Sequence, residues 1–279
     1  MPLSAVERAQ LGHARAHRDG TLTQYTHPGG QDWPTVRKYL VSRSQHSNPS
    51  LDPDLTAYTP GETLGLLAHP TIASWHRRMR SWTVPPGVET VVFVPCAKTK
   101  PWTEDAVHAS RLYTAYNQLQ REHPEVLFVT VSEPLGVVPS PLWDQFPQYD
   151  NPGLFHDDAQ RSGMTTAQWL ASPFGQKYLI PFDEAAYQTG IDRLADVIGG
   201  FLRQNRALRF VAFTDGGDHI LTTHSDMLHR AAERSGVAVE MHPKRAGAHQ
   251  SPYQLIGGYL DALPQRTPVR PAKGPALAV

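Results

Sequence analysis

From Thr90 onward, short runs of β-branched and aromatic residues alternate with stretches whose apolar positions recur every three or four residues. TVVFVPC (90–96) reads as a strand closed by a proline and a cysteine. HASRLYTAYNQLQREH (108–123) sets Leu112, Ala115, Tyr116 and Leu119 on one helical face, and Pro124 ends that helix by restricting the residue before it. VLFVTVS (126–132) is a second strand. DEAAYQTGIDRLADVIGGFLRQN (183–205) carries Ile191, Leu194, Ile198, Phe201 and Leu202 at helical spacing. ALRFVAFT (207–214) is a third strand, ILTTHSDMLHRAAERSG (220–236) a helix with Gly236 just past its end, and VAVEMHP (237–243) a fourth strand. This alternation predicts an α/β fold of three layers, a mainly parallel sheet of about four strands flanked by helices.

Before Thr90 the pattern is broken by HPGGQDWP, SNPSLDPD and VPPG, each a cluster of turn formers, so residues 1–88 read as an irregular N-terminal extension. Within it, Thr71 to Trp82 has Ile72, Trp75 and Met79 at helical spacing and predicts a helix packed on the sheet. Residues 89–263 form the expected catalytic core. Residues 264–279 hold too few large apolar side chains to fold and read as a disordered tail. SEPLGVVPSPLWDQFPQYDNPG (132–153) reads as a long proline-rich loop, and loops of that length are usually functional.

Lys plus Arg equals Asp plus Glu at 26 each, so no net field attracts a polyanion. A single cysteine excludes an intrachain disulfide, and the opening residues lack the apolar core of a signal peptide. No apolar run approaches the roughly 20 residues that span a bilayer. Together these predict a cytoplasmic protein with no membrane partner.

Candidate chemistry concentrates where the first strand ends, because ligands of open α/β sheets bind beyond the carboxyl ends of strands. Cys96 sits there, and Lys98 and Lys100 follow; positive neighbours raise the thiolate fraction of a thiol. Buried free cysteine is also common as a small hydrophobe, so a nucleophile and a pocket wall both stay open. Lys100, Pro101 and Trp102 join a cation, a rigid residue and a flat ring, a ledge suited to a planar base. His108, at a predicted helix start, reads as an acid/base. Asp215-Gly216-Gly217-Asp218-His219 follows a strand and opens a helix; it reads equally as a ligand-approaching turn and as a plain N-cap, with Asp215 and Asp218 as binding candidates. The late histidines 219, 224, 229, 242 and 249 fit no zinc motif and read as scattered surface residues, so neither a metal nor a cofactor is expected.

PCAKTKPWTEDAVH (95–108) resembles the PCSxxKPYxxSxSH motif of the archaeosine synthase core domain, the lysine-transferring relatives of tRNA-guanine transglycosylases. Pro95, Cys96, Lys100, Pro101 and His108 match in register. SEPLGVVP (132–139), with Pro147, Tyr149, Asp150 and Pro152 after it, resembles that family's SPLGxVP…P…YD segment. The resemblance covers roughly residues 70 to 160. It implies a uracil-DNA-glycosylase-like fold and a pocket for a purine-like base. In that family the substrate is 7-cyano-7-deazaguanine in tRNA, and lysine adds across the nitrile to give an amidine. Where the pattern has serines and a tyrosine, this chain has Ala97, Asp105, Val107 and Trp102, a change that removes hydroxyls and adds a carboxylate.

The expected activity is therefore transfer of an amine, such as lysine, to an electrophilic carbon of a 7-deazaguanine or related base, free, as a nucleotide or in tRNA. Cys96, Lys100, Asp105 and His108 are the catalytic candidates. Pro95, Lys98, Trp102, Glu133, Leu135, Gly136, Asp150, Asp215 and Asp218 are the substrate-binding ones. The alternatives are an N-glycosidase, in which Asp105 or Asp215 supports the oxocarbenium-like transition state, and a non-catalytic nucleotide- or RNA-binding module. With zero net charge, tRNA recognition would call for a separate RNA-binding partner; a homo-oligomer is also open.

Overall fold

The strand patterns are realised in a five-stranded sheet. The computed structural model describes residues 48–96, 111–151, 183–215, 222–244 and 252–263, with five short pieces between residues 26 and 45. Among the described residues, β1 (Thr90–Pro95), β2 (Val126–Ser132), β3 (Gly136–Pro139), β4 (Arg209–Asp215) and β5 (Glu240–Pro243) lie in the order β3-β2-β1-β4-β5. β1 pairs in parallel with β2 and β4, and β4 with β5, while β3 runs antiparallel to β2. Every residue of β2 and all but the last of β1 is buried, as expected for strands covered on both faces.

The sheet is thus mixed and has five strands, where the sequence predicts about four in a mainly parallel arrangement. The difference lies in the segment read as a plain loop. Gly136 turns the chain with φ 76°, and Val137 and Val138 then pair back onto Val131 and Thr130. Pro134 stands just before these four residues and Pro139 is the last of them, and together they hide the strand from the pattern. They are tolerated because β3 is an edge.

Six α-helices of seven residues or more stand among the described residues: α1 (Pro60–Leu66), α2 (Pro70–Arg80), α3 (Arg111–Glu122), α4 (Glu184–Gln204), α5 (Thr223–Ser235) and α6 (Pro252–Asp261); a two-stranded antiparallel pair (Thr26–His27 with Gln31–Asp32) and 3-10 turns at Pro53–Leu55 and Ser140–Leu142 accompany them. The connection from β1 to β2 through α3 moves one way across the sheet, and those through α4 and α5 move the other way. Right-handed crossovers between parallel strands therefore place α3 on one face and α5 on the opposite face, and α4, which packs on α5, lies with it. α3 packs with α6, and α4 packs with α1, α2 and α5. α6 is missing from the sequence reading because Gly257 and Gly258 interrupt its apolar face.

α2 lies where the helical spacing predicts, with Ile72, Trp75 and Met79 buried, and Trp75 donates its indole N–H to the Val137 carbonyl at 3.1 Å. Its end lies against α4 at Gly200, where a Cβ would fall 3.2 Å from the Arg80 Cα. α5 starts on a capping box of Thr222 with Ser225 and stops at Gly236, whose φ is 67°. Arg230 and Arg234 of α5 bond Asp192 of α4 at 2.7 and 2.5 Å, clasping the two helices. No helix among the described residues is long and apolar enough to cross a membrane.

Candidate active site

β1 is the centre from which the chain winds first toward β2 and later toward β4, so the crevice beyond the carboxyl ends of β1 and β4 is a topological switch point. Three elements deliver one polar side chain each to this edge. The Cys96 amide extends the β1 ladder by bonding the Val131 carbonyl at 3.1 Å. Glu133 follows the last residue of β2. His224 is the second residue of α5, whose start is tied to the end of β4 by the Thr222 hydroxyl donating to the Thr214 carbonyl at 2.8 Å.

The Cys96 sulfur, a Glu133 carboxylate oxygen and a His224 ring nitrogen all lie within 4.8 Å of one another. His224 Nε2 is 3.4 Å from Glu133 Oε2, and both side chains are only 1% exposed. Cys96 is half-buried, in contrast to the two sealed partners. Burial works against a charged imidazole here, but the Glu133 carboxylate and the Cys96 sulfur outweigh it and raise the His224 pKa to about 10. The N-terminus of α5 also opposes the charge, by about 1 kcal/mol or less, which is too small to reverse that sign. The cluster therefore favours an imidazolium beside the Glu133 carboxylate and the Cys96 sulfur.

Tyr149 closes the back of the site. Its buried hydroxyl shares a hydrogen bond with Ser132 Oγ, and burial, with Cys96 next in weight, pushes its pKa well above the usual tyrosine value. It stays a neutral phenol. Tyr113 of α3 bonds the Pro95 carbonyl at 3.4 Å and Thr130 Oγ1 at 3.1 Å, bracing the end of β1. Glu133 Oε1, Thr214 Oγ1 and Asp215 Oδ1 are buried with no hydrogen-bond partner among the described residues. The three lie at the carboxyl ends of β2 and β4.

Of the residues expected from sequence, Cys96 and Glu133 meet in this cluster. Asp215 ends β4 with Oδ1 3.9 Å from His229 Nε2. Asp150 instead ties the N-terminal segment down: its carboxylate accepts from the hydroxyls of Ser44 and Tyr58, and its backbone bonds Leu55 and Ala57. Leu135 is fully buried, and Gly136 lies against Val197. Lys98, Lys100, Trp102, Asp105, His108 and Asp218 lie outside the described residues.

His224 corrects the reading of the late histidines as surface residues. His229 and His242 have side chains 47% and 29% exposed, but His224 is sealed between helix α5 and the strand ends. The available signal was its place two residues after the cap of a helix that follows a core strand. Tyr149 was matched as part of a motif but not assigned to the site.

Comparison with known proteins bears on this arrangement. Residues 72–168 match a family model described as a domain of unknown function, DUF5591. Archaeosine synthase subunit alpha of Thermoplasma acidophilum is 28% identical over 113 residues, 39% of this chain and 21% of the relative. The same subunit from Methanosarcina acetivorans is 24% identical over 142 residues, 50% of this chain and 22% of the relative. These matches support an archaeosine-synthase-related family. The chain spans about a fifth of the length of those relatives. Cys96, Glu133 and Tyr149 fall inside the matched family segment, and His224 falls outside it. A solved structure, "Crystal structure of AF0587, a protein of unknown function", overlays 69% of this chain and 50% of its own at 14% identity with a TM-score of 0.37.

Proposed function

We propose that the chain is a transferase of tRNA-modification type, acting on a 7-deazaguanine or similar base by covalent catalysis at Cys96. The observation that carries this reading is the contact of Cys96 with His224 and Glu133 at the switch-point crevice. A thiol beside an imidazolium exists as the more nucleophilic thiolate, and a carboxylate behind the ring fixes its orientation. The similarity to archaeosine synthase subunit alpha over the segment that holds Cys96 supports the substrate class.

In this scheme the Cys96 thiolate adds to the nitrile carbon of a 7-cyano-7-deazaguanine, and the imidazolium of His224 gives its proton to the nitrile nitrogen. The product is a thioimidate. The amine donor then attacks the same carbon, its proton passes to His224, and the carbon–sulfur bond breaks to release an amidine and the thiolate. Atoms balance with the base and the amine as the only reactants. Tyr149, held neutral, donates to developing negative charge beside the sulfur. Lys98, Lys100, Trp102, Asp105 and His108 follow Cys96 directly in sequence and are proposed to hold the base and its carrier.

The test is incubation of the chain with 7-cyano-7-deazaguanine as free base, nucleoside and tRNA, with lysine or ammonia, read by mass spectrometry. Amidine formation by the wild type and its loss in Cys96→Ser supports the proposal. Full turnover in Cys96→Ser, or release of free base in place of amidine, overturns it, the latter in favour of an N-glycosidase.

A further inference from the structure

A sulfur, a ring nitrogen and a carboxylate oxygen from three separate elements, gathered within 4.8 Å, are also a set of metal ligands. We infer that Cys96, Glu133 and His224 bind a zinc ion, and that the ion-bound form is a reversibly blocked state of the thiol. The blocking rests on the proposed role of Cys96, but the binding does not.

Ligand chemistry selects the ion. Thiolate with imidazole suits zinc and disfavours magnesium and calcium, which take oxygen donors. Geometry agrees with that choice. Bonds of about 2.0–2.3 Å in a tetrahedron hold neighbouring ligand atoms roughly 3.3–3.7 Å apart. His224 Nε2 and Glu133 Oε2 already stand 3.4 Å apart. The sulfur needs to close by at most about 1 Å to complete the face.

A second observation points to a cation. Glu133 is 1% exposed and its Oε1 has no hydrogen-bond partner among the described residues, so one carboxylate oxygen is buried and unserved. An ion held in front of this carboxylate supplies both oxygens with a positive charge. Charge also balances: a thiolate and a carboxylate together neutralise a divalent ion, and the proton displaced from the ring leaves to solvent. Three protein ligands leave a fourth position for water, and Cys96 is the least buried of the three.

Because Cys96 is the only cysteine of the chain, its alkylation reports the site without ambiguity. The full chain is dialysed against zinc chloride and assayed for bound metal, and cobalt(II) is used as a coloured substitute. Wild-type and Cys96→Ser chains are compared, with circular dichroism confirming that both fold. The expected results are a single zinc per chain that Cys96→Ser abolishes and a thiolate-to-cobalt absorption band. Zinc at ten times its dissociation constant is expected to slow iodoacetamide about tenfold, reversed by EDTA. Alkylation unchanged at saturating zinc overturns the inference, as does zinc uptake that survives Cys96→Ser and so belongs to other histidines. A chain that binds zinc through Cys96 yet keeps full turnover as Cys96→Ser loses the functional proposal and keeps this one. A chain that needs Cys96 and takes up no zinc does the reverse.

Discussion

The imidazole of His76 donates through Nε2 to the carbonyl of Pro134 at 2.7 Å, which ties helix α2 to the residue directly after Glu133. Burial holds this ring neutral and, against the pull of the carbonyl, lowers its pKa to about 4. The unfolded chain has an ordinary histidine pKa of about 6.5, so on acidification it takes up the proton first. Stability is therefore complete above about pH 6.5, declines between about 6.5 and 4, and loses up to about 3 kcal/mol across that window. His76→Gln keeps a donor for Pro134 and removes the titration. Urea unfolding at a series of pH values is expected to show a smaller slope for the variant in that window, and equal slopes would refute this role for His76.

Gly136→Ala is expected to destabilise the fold by about 1–3 kcal/mol. The left-handed φ of 76° disfavours any Cβ, and the added carbon would sit 3.1 Å from Val197 Cγ1. Trimming the partner with Val197→Ala relieves the clash but not the backbone cost, so the double variant recovers part of the loss beyond simple additivity. Denaturation midpoints of the four chains measure this coupling.

How far the site was legible follows from where its members lie in the chain. Cys96 ends a run of buried β-branched residues, a position that fits a pocket wall as well as a nucleophile, and it is the lysines after it and the motif around it that single it out. Glu133 was visible because a motif surrounds it. His224 has only its place near the cap of a helix after a core strand to mark it; the packing of α5 against the end of β4, beside β1, is what brings it to the sulfur. A sequence pattern ranks neighbours along the chain, and a switch-point crevice is built from neighbours across the sheet. Strand β3 was lost for a different reason, since Pro134 and Pro139 give the same signal as a loop. The helices clasped by Arg230 and Arg234 were readable because their apolar positions recur over 21 and 13 residues, long enough in α4 to outlast its Gly199–Gly200 pair, whereas α6 has only 10 residues around its own pair.

Tyr149→Phe removes one oxygen from a fully packed ring. Loss of a single buried hydrogen bond to Ser132 costs about 1 kcal/mol of stability. If the phenol donates to charge developing beside Cys96, kcat for amidine formation falls by about 10²-fold, with KM for the base nearly unchanged. An unchanged kcat would assign Tyr149 to packing alone.

The central claim is that the fold activates Cys96 through His224. The most direct measurement is the iodoacetamide rate of the lone thiol at about pH 6.5, two units below the ordinary thiol pKa of about 8.5, in metal-free wild type and His224→Asn. The account predicts a wild-type rate at least about tenfold above that of the variant, because only the wild type holds a thiolate at that pH. Equal rates in two equally folded chains would contradict it.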